Sequence, residues 1–140
     1  MAKEYGVETL RARWLSLPLF RPAMANAKSA QRLRSIAANY SGWHWLNADL
    51  GIPTNPPSIT RLHEIQSPTL IIVGELDSTD FHEIASTLAS GIPNARKIVI
   101  QGAGHMVNLE APEEFNRAVL DFLAEVDEPR LPDHKRSSSG

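Results

Sequence analysis

Apolar positions along this chain follow two different rules, and the change falls near residue 61. Before it, they recur every three or four residues. Val7, Leu10, Trp14 and Leu17 form one such stripe, which predicts an amphipathic helix over residues 7–17 that ends at Pro18 and Pro22. Leu33, Ile36, Ala37 and Tyr40 form a second stripe. It predicts a helix opening at Ser29, a residue type that caps helix N-termini, with Gly42 as its left-handed C-terminal cap. The aromatic-dense WHWL follows, Trp43 to Leu46. Residues 51–58, GIPTNPPS, hold three prolines and read as a connector.

After residue 61 the apolar residues also come in unbroken runs. TLIIV, Thr69 to Val73, is rich in β-branched residues and predicts a strand buried on both faces, as in a parallel sheet. Phe81, Ile84, Ala85 and Leu88 then mark a helix, with Asp80 as its cap and Gly91 and Pro93 closing it. RKIVI, Arg96 to Ile100, is a second strand. A final helix starts at about Pro112, with Phe115, Val119, Phe122 and Val126 on one face. Proline suits a first helical position, and Glu113 and Glu114 suit the positive end of the helix dipole. The chain therefore divides into a helical segment and connector (1–60), an α/β unit (61–126) and a polar, flexible tail (127–140).

Strand, helix, strand, helix implies a parallel pair joined by a right-handed crossover. Both strands then end at one edge of the sheet, where open α/β sheets place their ligand crevices. GELD emerges there from the first strand and QGAGH from the second, so Asp77 and His105 are candidates to meet. A carboxylate beside an imidazole sets its tautomer and stabilises the imidazolium, which leaves the other ring nitrogen to take a proton from a hydroxyl nucleophile. Asp80 is a rival acid, read here as a helix cap instead.

Composition narrows the chemistry. The 140 residues contain no cysteine, which excludes disulfides, thiolate metal sites and cysteine nucleophiles. The histidines show no paired ligand spacing, so no metal site and no cofactor are expected. Residues 1–61 hold eight Lys/Arg against three acids, and residues 62–126 hold three against ten. The basic half has neither a dense basic run nor interleaved aromatics, so it reads as solvated helix faces without a nucleic-acid partner. No apolar run is long enough to span a bilayer, and the N-terminal residues lack a signal-peptide core. No membrane contact and a cytoplasmic location are the expectations.

SPTLIIVGELD (Ser67 to Asp77) and ARKIVIQGAGHMVNLEAPEEFNRAVLDFL (Ala95 to Leu123) together resemble the C-terminal portion of the α/β-hydrolase fold family. In that family a strand ends in G-x-x-D and the next leads into G-x-G-H, followed by an acidic N-x-E-x-P-E-x-F-like stretch. The matching residues are Gly74 and Asp77; Gly102, Gly104 and His105; and Asn108, Glu110, Pro112, Glu113 and Phe115. The resemblance implies a partial α/β-hydrolase fold, with Asp77 as triad acid and His105 as triad base. It also implies that residues 1–60 are similar to the end of the helical cap set over such sites. Trp43 and Trp45 then become candidate substrate contacts, or simple core, and Met106 joins them beside the histidine.

The family's nucleophile turn, G-x-S-x-G, is missing from these residues, as is its oxyanion segment. The resemblance therefore implies a C-terminal half that carries the acid and base of a hydrolase acting on small ester-like substrates. The nucleophile-bearing half would be a complementary partner, or self-association would replace it. The alternative is a non-catalytic remnant that serves as an interaction or binding module. A two-stranded parallel sheet also leaves one edge and an apolar face uncovered, so the isolated chain is expected to associate or to pack loosely.

Overall fold

The computed structural model describes residues 2–47, 51 and 54–127. The tail beyond Asp127 and part of the Pro-rich connector lie outside these residues. The helices α1 (Ala2–Leu15), α2 (Arg21–Ala25), α3 (Ala27–Asn39) and α4 (Trp43–Leu46) come first. A 3-10 stretch over Ser58–Glu64 leads into β1 (Thr69–Gly74), α5 (Thr79–Gly91), β2 (Ala95–Ile100), α6 (Val107–Glu110) and α7 (Pro112–Asp127). No helix among the described residues is long and apolar enough to cross a membrane.

The two strands pair in parallel, from Thr69 opposite Ala95 to Gly74 opposite Ile100. Alternation along the strands divides the side chains between two faces. Ile72, Ile98 and Ile100 pack with Val107 and Phe115 beneath α6 and α7. Lys97 instead reaches Ser86 on α5. The architecture is α/β with helices on both faces of the sheet. Arg96 ties β2 to α7, bonding Glu125 at 2.8 Å with its guanidinium 5.5 Å above the Phe122 ring. Both partners are exposed, so this ion pair adds little stability.

The strands are less enclosed than their apolar sequence predicts. Only Val73 and Gly74 of β1 and Ile100 of β2 are buried. Among the described residues each strand has one hydrogen-bonded neighbour, so its burial comes from the helices and from the turn at Ala103. The N-terminal helices instead close on a core of their own. Phe20, Ala23 and Leu33 are buried there, with Trp14, Leu15 and Met24 packed around them, together with Met106 and Leu109 from the histidine loop and α6.

Several helix ends differ from the sequence reading. Asn26, not Ser29, caps α3: its side-chain oxygen accepts from the Lys28 and Ser29 N–H groups. Ser29 is buried one turn in, and its hydroxyl donates to the Ala23 carbonyl at 2.6 Å. At the other end, Arg11 supplies what Gly42 was expected to supply. Its guanidinium donates to the carbonyls of Ala37, Ala38 and Tyr40, across from α1. Gly42 does take a left-handed φ of 76°, but it precedes α4 and lies against Val7. Leu17 lies beyond the end of α1 and is exposed. Asp80 is inside the first turn of α5, and Ser78 holds the cap position. The last helix, α7, does begin at Pro112 as its proline predicts, and the short α6 before it is an additional turn that the sequence pattern did not mark.

Candidate active site

The turns after β1 and β2 are bonded to each other before any side chain is considered. The Glu75 N–H donates to the Ile100 carbonyl at 2.9 Å, and the Leu76 N–H to the Ala103 carbonyl at 2.8 Å. These bonds continue the ladder past the strand ends. Glycine makes the approach possible: a Cβ on Gly74 would lie 2.2 Å from the Gly104 carbonyl oxygen and 2.3 Å from that of Ala103. Gly102 turns the chain with a φ of 70°, and its N–H donates to Glu75 Oε2 at 2.8 Å.

Asp77 and His105 meet at the top of these turns, with Asp77 Oδ2 3.1 Å from His105 Nδ1. The Asp77 side chain is 5% exposed and that of His105 27%, so the acid lies beneath the ring and the ring remains reachable from solvent. The second carboxylate oxygen accepts from the Ser78 N–H at 2.8 Å. An ionised carboxylate only accepts, so the shared proton belongs on Nδ1, and Nε2 is left with a lone pair. Phe81 of α5 lies 4.3 Å from the imidazole, centroid to centroid, and Phe20 of the N-terminal core lies edge-on at 6.3 Å. The dyad opens on a depression of about 190 Å³ walled by Ile71, Val73, Phe81 and Val107.

The other candidate residues are not all at this place. Met106 follows His105 in the chain, but its side chain packs on the Phe20–Ala23–Leu33 core. Trp45 lines a separate cavity of about 330 Å³ with Trp14, Ile36, Tyr40 and His44. It is linked to the dyad through a relay of rings: Trp14 is 6.3 Å from Trp45 and 4.3 Å from Phe20. Trp43 is 56% exposed and packs edge-on against His44. Asp80 is exposed on α5 and borders an outer depression with Ile59 and Ile84. Among the described residues no cluster of three or more His, Asp or Glu side chains is arranged to hold a metal ion.

Two neighbours of His105 escaped the sequence reading. Phe20 carried no signal, because nothing in its local pattern ties it to a loop so distant in the chain. Phe81 was visible only as part of a helix stripe, and its contact with the imidazole depends on the crossover that brings α5 beside β2.

A buried acid therefore lies under a half-exposed imidazole at the carboxyl ends of two parallel strands, in an α/β fold. The family profile for the alpha/beta hydrolase fold matches residues 8–112, and the chain belongs to that family. A putative 2-succinyl-6-hydroxy-2,4-cyclohexadiene-1-carboxylate synthase of Bacillus subtilis (strain 168) is 31% identical over 124 residues, covering 86% of this chain and 45% of that protein. A 2-hydroxy-6-oxononadienedioate/2-hydroxy-6-oxononatrienedioate hydrolase of Pseudomonas putida is 45% identical over 64 residues, 46% of this chain and 22% of its own length. Among solved structures, MenH from S. aureus superposes with a TM-score of 0.77 at 31% identity, over 89% of this chain and 47% of that one. The chain spans less than half the length of these relatives.

Proposed function

We propose that this chain carries the acid and the base of a hydroxyl-nucleophile hydrolase, with the nucleophile supplied by polypeptide outside these 140 residues. The hydrogen bond between Asp77 and His105 at the strand ends carries this reading. With Nδ1 engaged, His105 Nε2 takes the proton from a serine hydroxyl as its oxygen attacks a carbonyl carbon. It then passes that proton to the departing alcohol oxygen, and water repeats the sequence to free the acid. A nucleophilic aspartate in the serine's place would leave His105 to activate the water of the second step.

A small, ester-like carbonyl compound is the substrate class we assign. The family supports it, while the relatives named for a cyclohexadiene carboxylate and for oxo-dienedioates support only the small, carbonyl-bearing part of that class, since neither name contains an ester. The N-terminal helices act as the end of a cap in this reading. Two contacts support that: Phe20 faces the imidazole, and a Cβ on Gly104 would lie 2.6 Å from Pro22 Cγ.

The test is complementation. Alone, the chain should hydrolyse p-nitrophenyl acetate no faster than a D77A/H105A double variant, because the nucleophile and the oxyanion donors supply much of the rate. Joined to a nucleophile-bearing segment, by fusion or co-expression, it should show a burst of nitrophenol. Burst kinetics from the chain alone, abolished by either single substitution, would place the nucleophile within it. Restored activity indifferent to H105A would remove His105 from the chemistry.

A further inference from the structure

We infer that Glu110 is a positioning residue for His105, its carboxylate gripping the N–H groups of the residues just before and just after the histidine and so setting how the ring meets Asp77. The inference rests on the dyad reading above. The Gly104 N–H donates to Glu110 Oε2 at 2.7 Å, and the Met106 N–H donates to Oε1 at 3.0 Å. Residues 104 and 106 bracket His105, so one side chain ties down the backbone shortly before and directly after the imidazole-bearing residue. A carboxylate suits this task because it presents two acceptors in one plane, whereas an amide would aim a donor at one of the two N–H groups.

The surroundings leave the loop little other freedom. A Cβ on Gly104 would lie 2.6 Å from Pro22 on one side, while on the other Gly74 allows the Ala103 and Gly104 carbonyls to approach β1. The main chain is thus held against sliding, and the two N–H bonds set the rotation of the Ala103–Gly104 and His105–Met106 peptide planes, one on each side of the Gly104–His105 pair. Glu110 also holds Met106 through its own backbone, its N–H donating to the Met106 carbonyl at 2.9 Å. The Glu110 side chain makes one half of a capping box, accepting from the N-cap Met106 N–H one residue further along α6 than usual, while Met106 makes no side-chain bond in return. No Lys or Arg among the described residues pairs with Glu110. Both of its oxygens serve the histidine loop.

Nitrogen-15 NMR of the chain with its sheet completed, by fusion to or co-expression with the nucleophile-bearing segment, labelled at histidine and assigned with H105A, tests this by reading the tautomer of the His105 ring. In the unsubstituted chain the Nδ1–H form should dominate, because Asp77 accepts that proton. In E110Q the ratio of Nδ1–H to Nε2–H should fall roughly tenfold, the size of effect expected when one charge-assisted hydrogen bond is lost. E75Q is the control: it releases the same loop at Gly102, further from the ring, and should leave the ratio unchanged. Equal changes in E75Q and E110Q would reduce Glu110 to a general loop stabiliser and overturn the inference. D77N separates the two readings. If D77N leaves the ratio unchanged, the dyad itself fails; if D77N abolishes the bias and E110Q does not, the dyad stands and Glu110 loses its role. Should E110Q lose its amide dispersion, E110D takes its place. Its shorter arm keeps the charge but cannot span both N–H groups, and the same outcomes decide.

Discussion

The N-terminal helices and the α/β unit each bury a small core, and each leaves large apolar side chains in water. Ile36 and Trp43 are exposed in the first as Leu120 and Ile84 are in the second, but the α/β unit leaves more of them and for a different reason. In the first, Leu33 and Ala23 are 0% exposed and Phe20 3%. In the second, Leu120 of α7 is 64% exposed, Ile84 of α5 51% and Leu123 48%. A helix satisfies its backbone internally and needs to bury only one stripe, which α1, α2 and α3 do against one another. A strand needs a neighbour on each edge and cover on both faces. With two strands there is one ladder, and the helices have a narrow surface to pack on. The candidate chemistry lies in the less completed of the two regions, touched by the well-packed one through Phe20 and Pro22.

That contrast makes its strongest prediction about solution state. Burying a large aliphatic side chain is worth roughly 1.5–3 kcal/mol, so several left in water approach the 5–15 kcal/mol stability of a whole domain. The chain purified alone should self-associate or pack loosely, and should become ordered when its sheet is completed. Analytical ultracentrifugation with near-UV circular dichroism at low micromolar concentration reads this. A compact monomer with sharp tertiary signals and a cooperative melt would break the comparison.

The next effect belongs to the chemistry. In the reconstituted enzyme, D77N should slow turnover ~10⁴-fold, about 5 kcal/mol, because the imidazole loses its orienting acceptor. D80N, on an exposed first turn, should change it by less than about 0.5 kcal/mol. Single-turnover kinetics compares the two, and equal losses would reassign the acid.

Packing comes third. L33A should destabilise the N-terminal core by roughly 2–5 kcal/mol, whereas L120A should cost under about 0.5 kcal/mol in the isolated chain. Urea unfolding followed by the fluorescence of Trp14, which lies against Phe20, sharpens the contrast. The smallest effects concern the turns. G74A should cost roughly 1–3 kcal/mol, because its methyl group collides with two backbone carbonyls. G102A meets open space and should cost about 1 kcal/mol, from its left-handed φ alone. A larger loss for G102A in the same urea series would show that the contact between the turns is softer than its distances imply.

Local pattern determined much of this protein. Continuous β-branched runs identified both strands, three-to-four-residue spacing identified the main helices, and strand order alone brought Asp77 and His105 to one edge. These features depend on neighbours in sequence and on the single handedness of the crossover, so they are legible without a fold. What depended on distant chain segments was not. Asn26 takes the cap of α3 because Ser29 is drawn inward by the Ala23 carbonyl, and Arg11 of α1 closes the other end of that helix. Phe20 reaches His105, and Trp43 turns to solvent, through helix packing that no periodicity encodes. Glu110 stood in the sequence as one acid of a motif; only the folded loop aims the Gly104 and Met106 N–H groups at its two oxygens. Backbone donors carry no side-chain identity, so a sequence does not show where they point, and their partners are decided by tertiary structure.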